Sequence, residues 1–115
     1  MKTDRELLEL AAKSAGYAVD WREWVRSHVA EFATVKHVKC AGFWLDGKEW
    51  DPLNDDGDAL RLAVQLRLIV RCYDGSVIVD GGGIDVEEHD LSNYNAATRR
   101  AITRAAAAIE EWWMK

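Results

Sequence analysis

Leu68-Ile69-Val70-Arg71-Cys72-Tyr73-Asp74-Gly75-Ser76-Val77-Ile78-Val79-Asp80 is two β-prone runs separated by Asp74-Gly75. Val, Ile, Tyr and Cys suit a pleated, half-buried surface, and an Asp-Gly pair between such runs is a strong hairpin signal. A two-residue turn at this point pairs Cys72 with Val77 and Val70 with Val79. Leu68, Val70, Cys72, Val77 and Val79 then share one wholly apolar face, and Ile69, Arg71, Tyr73, Ser76, Ile78 and Asp80 share a mixed one. A slip of one residue would scramble both sets, so pattern and turn specify the same register. That register predicts that Val70 and Val79 are both buried.

The same grammar recurs upstream. Cys40–Leu45 and Lys48–Asp51 flank Asp46-Gly47, a second hairpin, and Pro52, the only proline, ends its second strand by withholding an amide donor. Asn54, Asp55 or Asp56 then caps a helix carrying Ala59, Leu60, Leu62, Ala63, Val64 and Leu66, with Asp58 in its first turn, where the helix dipole favours negative charge. Downstream, Gly81-Gly82-Gly83 reads as a flexible joint, followed by a short strand at Ile84–Glu87. A last helix, capped by Ser92 or Asn93, runs to about Trp113, with Tyr94, Ala97, Ala101, Ile102, Ala105, Ile109 and Trp112 inward.

At the other end, Thr3 or Asp4 caps a helix that runs to about Ala15 and stops at Gly16, and Glu6, three residues after Thr3, allows a capping box. Trp21, Trp24, Val25, His28, Val29 and Phe32 recur at helical spacing, with Arg22, Glu23, Arg26 and Glu31 opposite. This pattern predicts a second N-terminal helix beginning at Asp20. The expected fold is therefore α+β in a single domain, 1–115. It has two N-terminal helices, then an antiparallel sheet of about four or five strands with further helices packed on it.

The 115 residues are enough for one core, and 49% hydrophobic with 30% charged content is ordinary for a globular chain. No apolar run approaches the roughly 20 residues of a membrane span, and Met1–Glu9 lacks the apolar segment of a signal peptide, so the expected location is the cytoplasm. Cys40 and Cys72 then read as small buried hydrophobes rather than a disulfide or metal pair. A net charge of −5 argues against a general nucleic-acid binder but leaves room for a local basic patch. Six tryptophans exceed what a core of this size needs, which points to an interface.

Candidate chemistry is sparse. Asp51, Asp55, Asp56 and Asp58 lack the alternating ligands and late Glu of a calcium loop, so a helix cap explains them; a recognition role beside Trp50 is the competing reading. Glu87-Glu88-His89-Asp90 contains no spaced second histidine, and the triple glycine is followed by acidic, strand-like residues instead of the Lys and Ser/Thr of a phosphate loop. No nucleophile motif occurs, and neither an enzyme nor a cofactor is expected. Arg99, Arg100 and Arg104 form a basic strip on the last helix. From Asp56 onward the order helix, three strands, helix matches that of double-stranded-RNA-binding domains.

The stretch Glu49-Trp50-Asp51-Pro52-Leu53-Asn54-Asp55-Asp56-Gly57-Asp58-Ala59-Leu60-Arg61-Leu62-Ala63 resembles a family of small bacteriophage and prophage proteins of unknown function. The opening Thr3–Ala12 and the closing Tyr94–Ile102 look like theirs as well. The resemblance implies a phage accessory protein acting in the cytoplasm of a bacterial host. It supplies no catalytic residues and does not extend over Tyr17–Phe43.

The expected function is thus a small binding protein that inhibits or sequesters a host component, a defence system being one candidate source of that component. Its partner would be a host protein or small nucleotide, and self-association is expected near Trp113. The candidate binding residues are Trp50, Asp55, Asp56, Asp58, Arg99, Arg100, Arg104 and Trp113. A nucleic-acid or nucleotide binder using the arginine strip is the less favoured alternative.

Overall fold

A computed structural model describes residues 2–29, 35–89 and 92–113. It is an α+β fold: α1 (Asp4–Ala15), β1 (Asp20–Val29), β2 (Val35–Leu45), β3 (Lys48–Trp50), α2 (Asp56–Gln65), β4 (Ile69–Tyr73), β5 (Ser76–Gly81), β6 (Ile84–Glu88) and α3 (Tyr94–Trp113). The strands form two antiparallel three-stranded sheets, β1-β2-β3 and β4-β5-β6, where one sheet of four or five strands was expected.

Local signals place most elements. The Thr3 hydroxyl accepts from the Glu6 amide and donates to its carboxylate, and Gly16 closes α1 at φ 77°. Asp55 caps α2, and the Asn93 carboxamide accepts from the Ala96 amide at the start of α3. Asp46 and Gly47 both take positive φ, as a tight hairpin turn of the mirror-image type requires. The β4–β5 register is the expected one, Val70 opposite Val79 and Cys72 opposite Val77. Gly82 and Gly83 form a tight turn that pairs Gly81 with Ile84, so the triple glycine is a third hairpin and not a flexible joint.

The expected second helix is instead strand β1; positions 30–32 of that segment lie outside the described residues. Its ten residues pair with β2 from Asp20↔Trp44 to Val29↔Val35. The segment Asp20–Val29 contains no alanine or leucine and is rich in Trp and Val, which pack better on a pleated surface than on a helix. Its partner is the separate segment Val35–Leu45, so the ladder is not written in the strand's own spacing and the helical spacing of its tryptophans is incidental.

One core joins the elements. α3 packs against α1, α2, β5 and β6, and alanines at 101, 105 and 106 meet Ala11, Ala12 and Leu8 of α1 and Leu62 of α2 in one buried cluster. Small residues on both sides allow close approach. Val77, Val79 and Val86 close the cluster from the second sheet, and Phe43 with Trp50 closes it from the first. Because α3 lies over β5 and β6, the edge strand β4 is left half-covered: Val79 is fully buried, whereas Val70 remains 37% exposed. Cys72 is exposed and Cys40 only half-buried, so neither is the buried hydrophobe expected. Tyr94 and Trp112, assigned to the inner face of the last helix, are exposed at its two ends.

Only the base of the first sheet reaches this core. Beyond Trp21 and Phe43, β1 and β2 continue as a two-stranded ribbon of eight pairs, about 24 Å long at the usual strand rise. The molecule measures 52 × 34 × 26 Å with a radius of gyration of 15.9 Å, against about 13 Å for a compact chain of this size.

Candidate functional site

The acidic loop is internal structure. Asp58 is buried; one carboxylate oxygen accepts from the Asp51 amide at 2.9 Å and the other from Arg61 at 2.8 Å. The Asp55 carboxylate accepts from the Asp58 amide at 2.8 Å, and Asp51 accepts from the Leu53 amide and the Asn54 side chain. Hydrogen bonding to Asp58 holds the Arg61 guanidinium above its ordinary pKa. Trp50 is buried, edge-on to Tyr17 at 6.0 Å between ring centroids. An open cleft of about 790 Å³ lies beside this loop, lined by Tyr17, Trp50 and Arg61 together with Asp46, Glu49 and Asp55. Its acidic rim disfavours a phosphate-bearing ligand.

The arginine strip is occupied by carboxylates. Arg99 donates to the Leu53 carbonyl at 2.9 Å and to Asp56 at 2.7 Å, tying α3 to the loop that precedes α2. Arg100 pairs with Asp4 at 3.5 Å, and Arg104 pairs with Glu88 while also donating to the Glu87 carbonyl. The helix–three strands–helix order from Asp56 is present, but all three arginines are engaged within the chain. His89 is exposed, with Nε2 at 3.6 Å from Glu87; Asp90, its neighbour in sequence, lies outside the described residues.

Apolar side chains are exposed on α2 (Leu60, Val64) and on the edge strand β4 (Ile69, Val70, Tyr73), and two further exposed surfaces carry tryptophan. At the end of α3, Trp112 and Trp113 are both exposed, at 60% and 75%. The ribbon is the larger one. Its pleat alternates strictly: Trp21, Glu23, Val25 and Ser27 share a face with Phe43, Ala41, Lys39 and His37, while Arg22, Trp24 and Arg26 share the other with Gly42, Cys40 and Val38. At the base of the first face, Trp21 meets Phe43 at 5.0 Å and carries the Arg5 guanidinium 4.0 Å from its ring centroid, which anchors the ribbon to α1. On the other face the Trp24 ring crosses above Gly42 to meet Trp44 edge-on at 5.8 Å, and Arg22 lies 5.1 Å from the Trp44 centroid. The indole N–H groups of Trp21 and Trp44 are buried without a hydrogen-bond partner.

From Val25 outward the ribbon stands clear of the other elements. β3 pairs with Phe43, Trp44 and Leu45, so among the described residues both ribbon edges are unpaired over the outer half. Val25, Val35 and Val38 are exposed there. Ser27 Oγ and His37 Nδ1 are hydrogen-bonded at 2.7 Å, while Arg26 and Lys39 take no part in the ion pairs among the described residues.

Arg22, Trp24, Arg26, His37, Lys39 and Trp44 were not among the sequence candidates. The signal that could have found them is the stretch Val35–Leu45, long enough to pair with all of Asp20–Val29. Comparison with protein-family models, with curated proteins and with solved structures finds no match to this chain.

Proposed function

We propose that this is a non-catalytic binding protein, of the phage accessory kind its sequence resembles, and that it engages a component of the host cytoplasm through the β1–β2 ribbon. The observation that carries this reading is the ribbon itself. It is an arm anchored at Trp21 and Phe43 which, among the described residues, has two unpaired edges, exposed valines and unpaired cations and contributes little else to the core. An unguarded two-stranded edge is a liability that proteins otherwise cover with a helix, a proline or a bulge. Surface of this kind is retained where a partner uses it.

The test shortens the arm. Replacing Val25–Lys39 by Asn-Gly joins the paired residues Trp24 and Cys40 through a two-residue turn and leaves the aromatic base in place. A tagged full chain should retain a host component from bacterial lysate that the shortened chain, folded by circular dichroism, does not retain. Retention of the same component by both would overturn the reading.

A second surface is favoured by the two exposed tryptophans at the end of α3. We assign it to self-association, with Trp113 near the contact.

A further inference from the structure

We infer that the outer ribbon is a binding surface for B-form duplex DNA. The inference rests on the reading that the ribbon is the working surface, and names the class of its partner.

Charge is the first ground. The charged side chains described on the outer ribbon are Arg26 and Lys39, a net of +2. The chain carries 15 Lys and Arg against 20 Asp and Glu, so apart from these two residues it has 13 cations against 20 anions, a net of −7. The body's arginines are mostly spent on its own carboxylates: Arg61 on Asp58, Arg71 on Asp80, Arg99 on Asp56, Arg100 on Asp4 and Arg104 on Glu88. Arg26 and Lys39 are not, and from Trp24 outward every charged side chain among the described residues is basic. The positive charge is thus concentrated on the part of the molecule that stands clear of the acidic body. A second copy is disfavoured as a ribbon-to-ribbon partner, because Arg26 and Lys39 of the two copies would repel.

Shape is the second ground. A two-stranded antiparallel ribbon fits the major groove of B-form DNA, about 12 Å wide, whereas the major groove of A-form RNA is too deep and narrow to admit it. With Arg26 and Lys39 on opposite faces of the pleat, cations are presented towards both walls of a groove. Val25, Val35 and Val38 supply apolar contacts of the kind that thymine methyls accept. The same three valines are a poor basis for a stable protein interface. Such an interface needs about 800 Å² per partner built around aromatic or arginine anchors, and Trp24 and Trp44 are turned onto each other.

The test is fluorescence anisotropy of a labelled 20-base-pair DNA duplex titrated with the full chain. Two phosphate contacts, from Arg26 and Lys39, give a slope of about −1.8 in log affinity against log salt, so binding at 50 mM salt should weaken about twelvefold by 200 mM. Arg26→Glu with Lys39→Glu should weaken it more than tenfold. The control double variant Lys13→Glu with Arg67→Glu, which makes the same change in net charge on exposed body residues, should weaken it less than threefold. An RNA duplex of the same sequence should bind more weakly than DNA. Absence of duplex binding at 50 mM salt, equal losses in the two double variants, or tighter binding of the RNA duplex would each overturn the inference. If the ribbon-shortened chain loses its host component while the full chain fails to bind duplex DNA, this inference falls and the proposed function stands, with an acidic protein surface as the partner class.

Discussion

Replacing Asp58 by alanine separates two explanations of the same carboxylate. Asp58 is buried at the first turn of α2, where it accepts one hydrogen bond from the Asp51 amide and one from Arg61. If its work is to satisfy the backbone of the incoming loop, the substitution strands the Asp51 N–H, at a cost of about 1–3 kcal/mol. The loss of negative charge in the first helical turn adds about 0.3–1 kcal/mol. If instead its work is the ion pair, the cost is that of a bridge whose arginine side chain is 69% exposed, typically below about 1 kcal/mol. The geometry favours the backbone role, so Asp58→Ala should destabilise the fold by about 2–3 kcal/mol. For a domain of this length that lowers Tm by roughly 8–12 °C. Arg61→Ala should cost under about 1 kcal/mol and move Tm by no more than about 4 °C. Urea melts of the two variants with matched m-values measure both quantities. Equal destabilisation by the two substitutions would refute the argument and make the ion pair the main tie between the loop and α2.

Two other outcomes follow from the geometry. Asp85 stands opposite Asp80 in the β5–β6 ladder, and their side-chain hydrogen bond, with the repulsion between them, raises the Asp85 pKa above its ordinary 3.8. A folded-state pKa raised in this way contributes stability that is present below the unfolded value and lost as pH rises through the folded one. Asp85→Asn should therefore melt higher than the parent chain at pH 7, with the difference shrinking below about pH 4; an unchanged difference across that range would remove the carboxyl pair as its cause. Trp113→Ala, at the exposed end of α3, should convert a concentration-dependent dimer into a 13.0 kDa monomer in sedimentation at micromolar concentration, whereas a parent chain already monomeric would rule out self-association there.

The sequence alone determined whatever depends on neighbours within a few residues. The Gly16 stop, the Asp46-Gly47 turn and the Val70↔Val79 register are all present, and the helix caps at Thr3 and Asp55 are each one of the adjacent alternatives the sequence offered. Each is set by a hydrogen bond or dihedral preference that acts across two to four positions, or by an alternation that a slip would destroy. Tertiary structure decided the rest. The Trp21–Trp24–Val25 spacing fits a helix as well as a strand, and only the ten-rung pairing with Val35–Leu45 resolves it in favour of β1. In the same way, Arg99, Arg100 and Arg104 read as a free basic strip because their acidic partners are 43, 96 and 16 positions away in the chain. Whether a cation is available to a ligand depends on which carboxylates the fold brings within hydrogen-bonding distance. Local pattern does not carry that information, so the candidate surface moved from α3 to the ribbon only once the chain was folded.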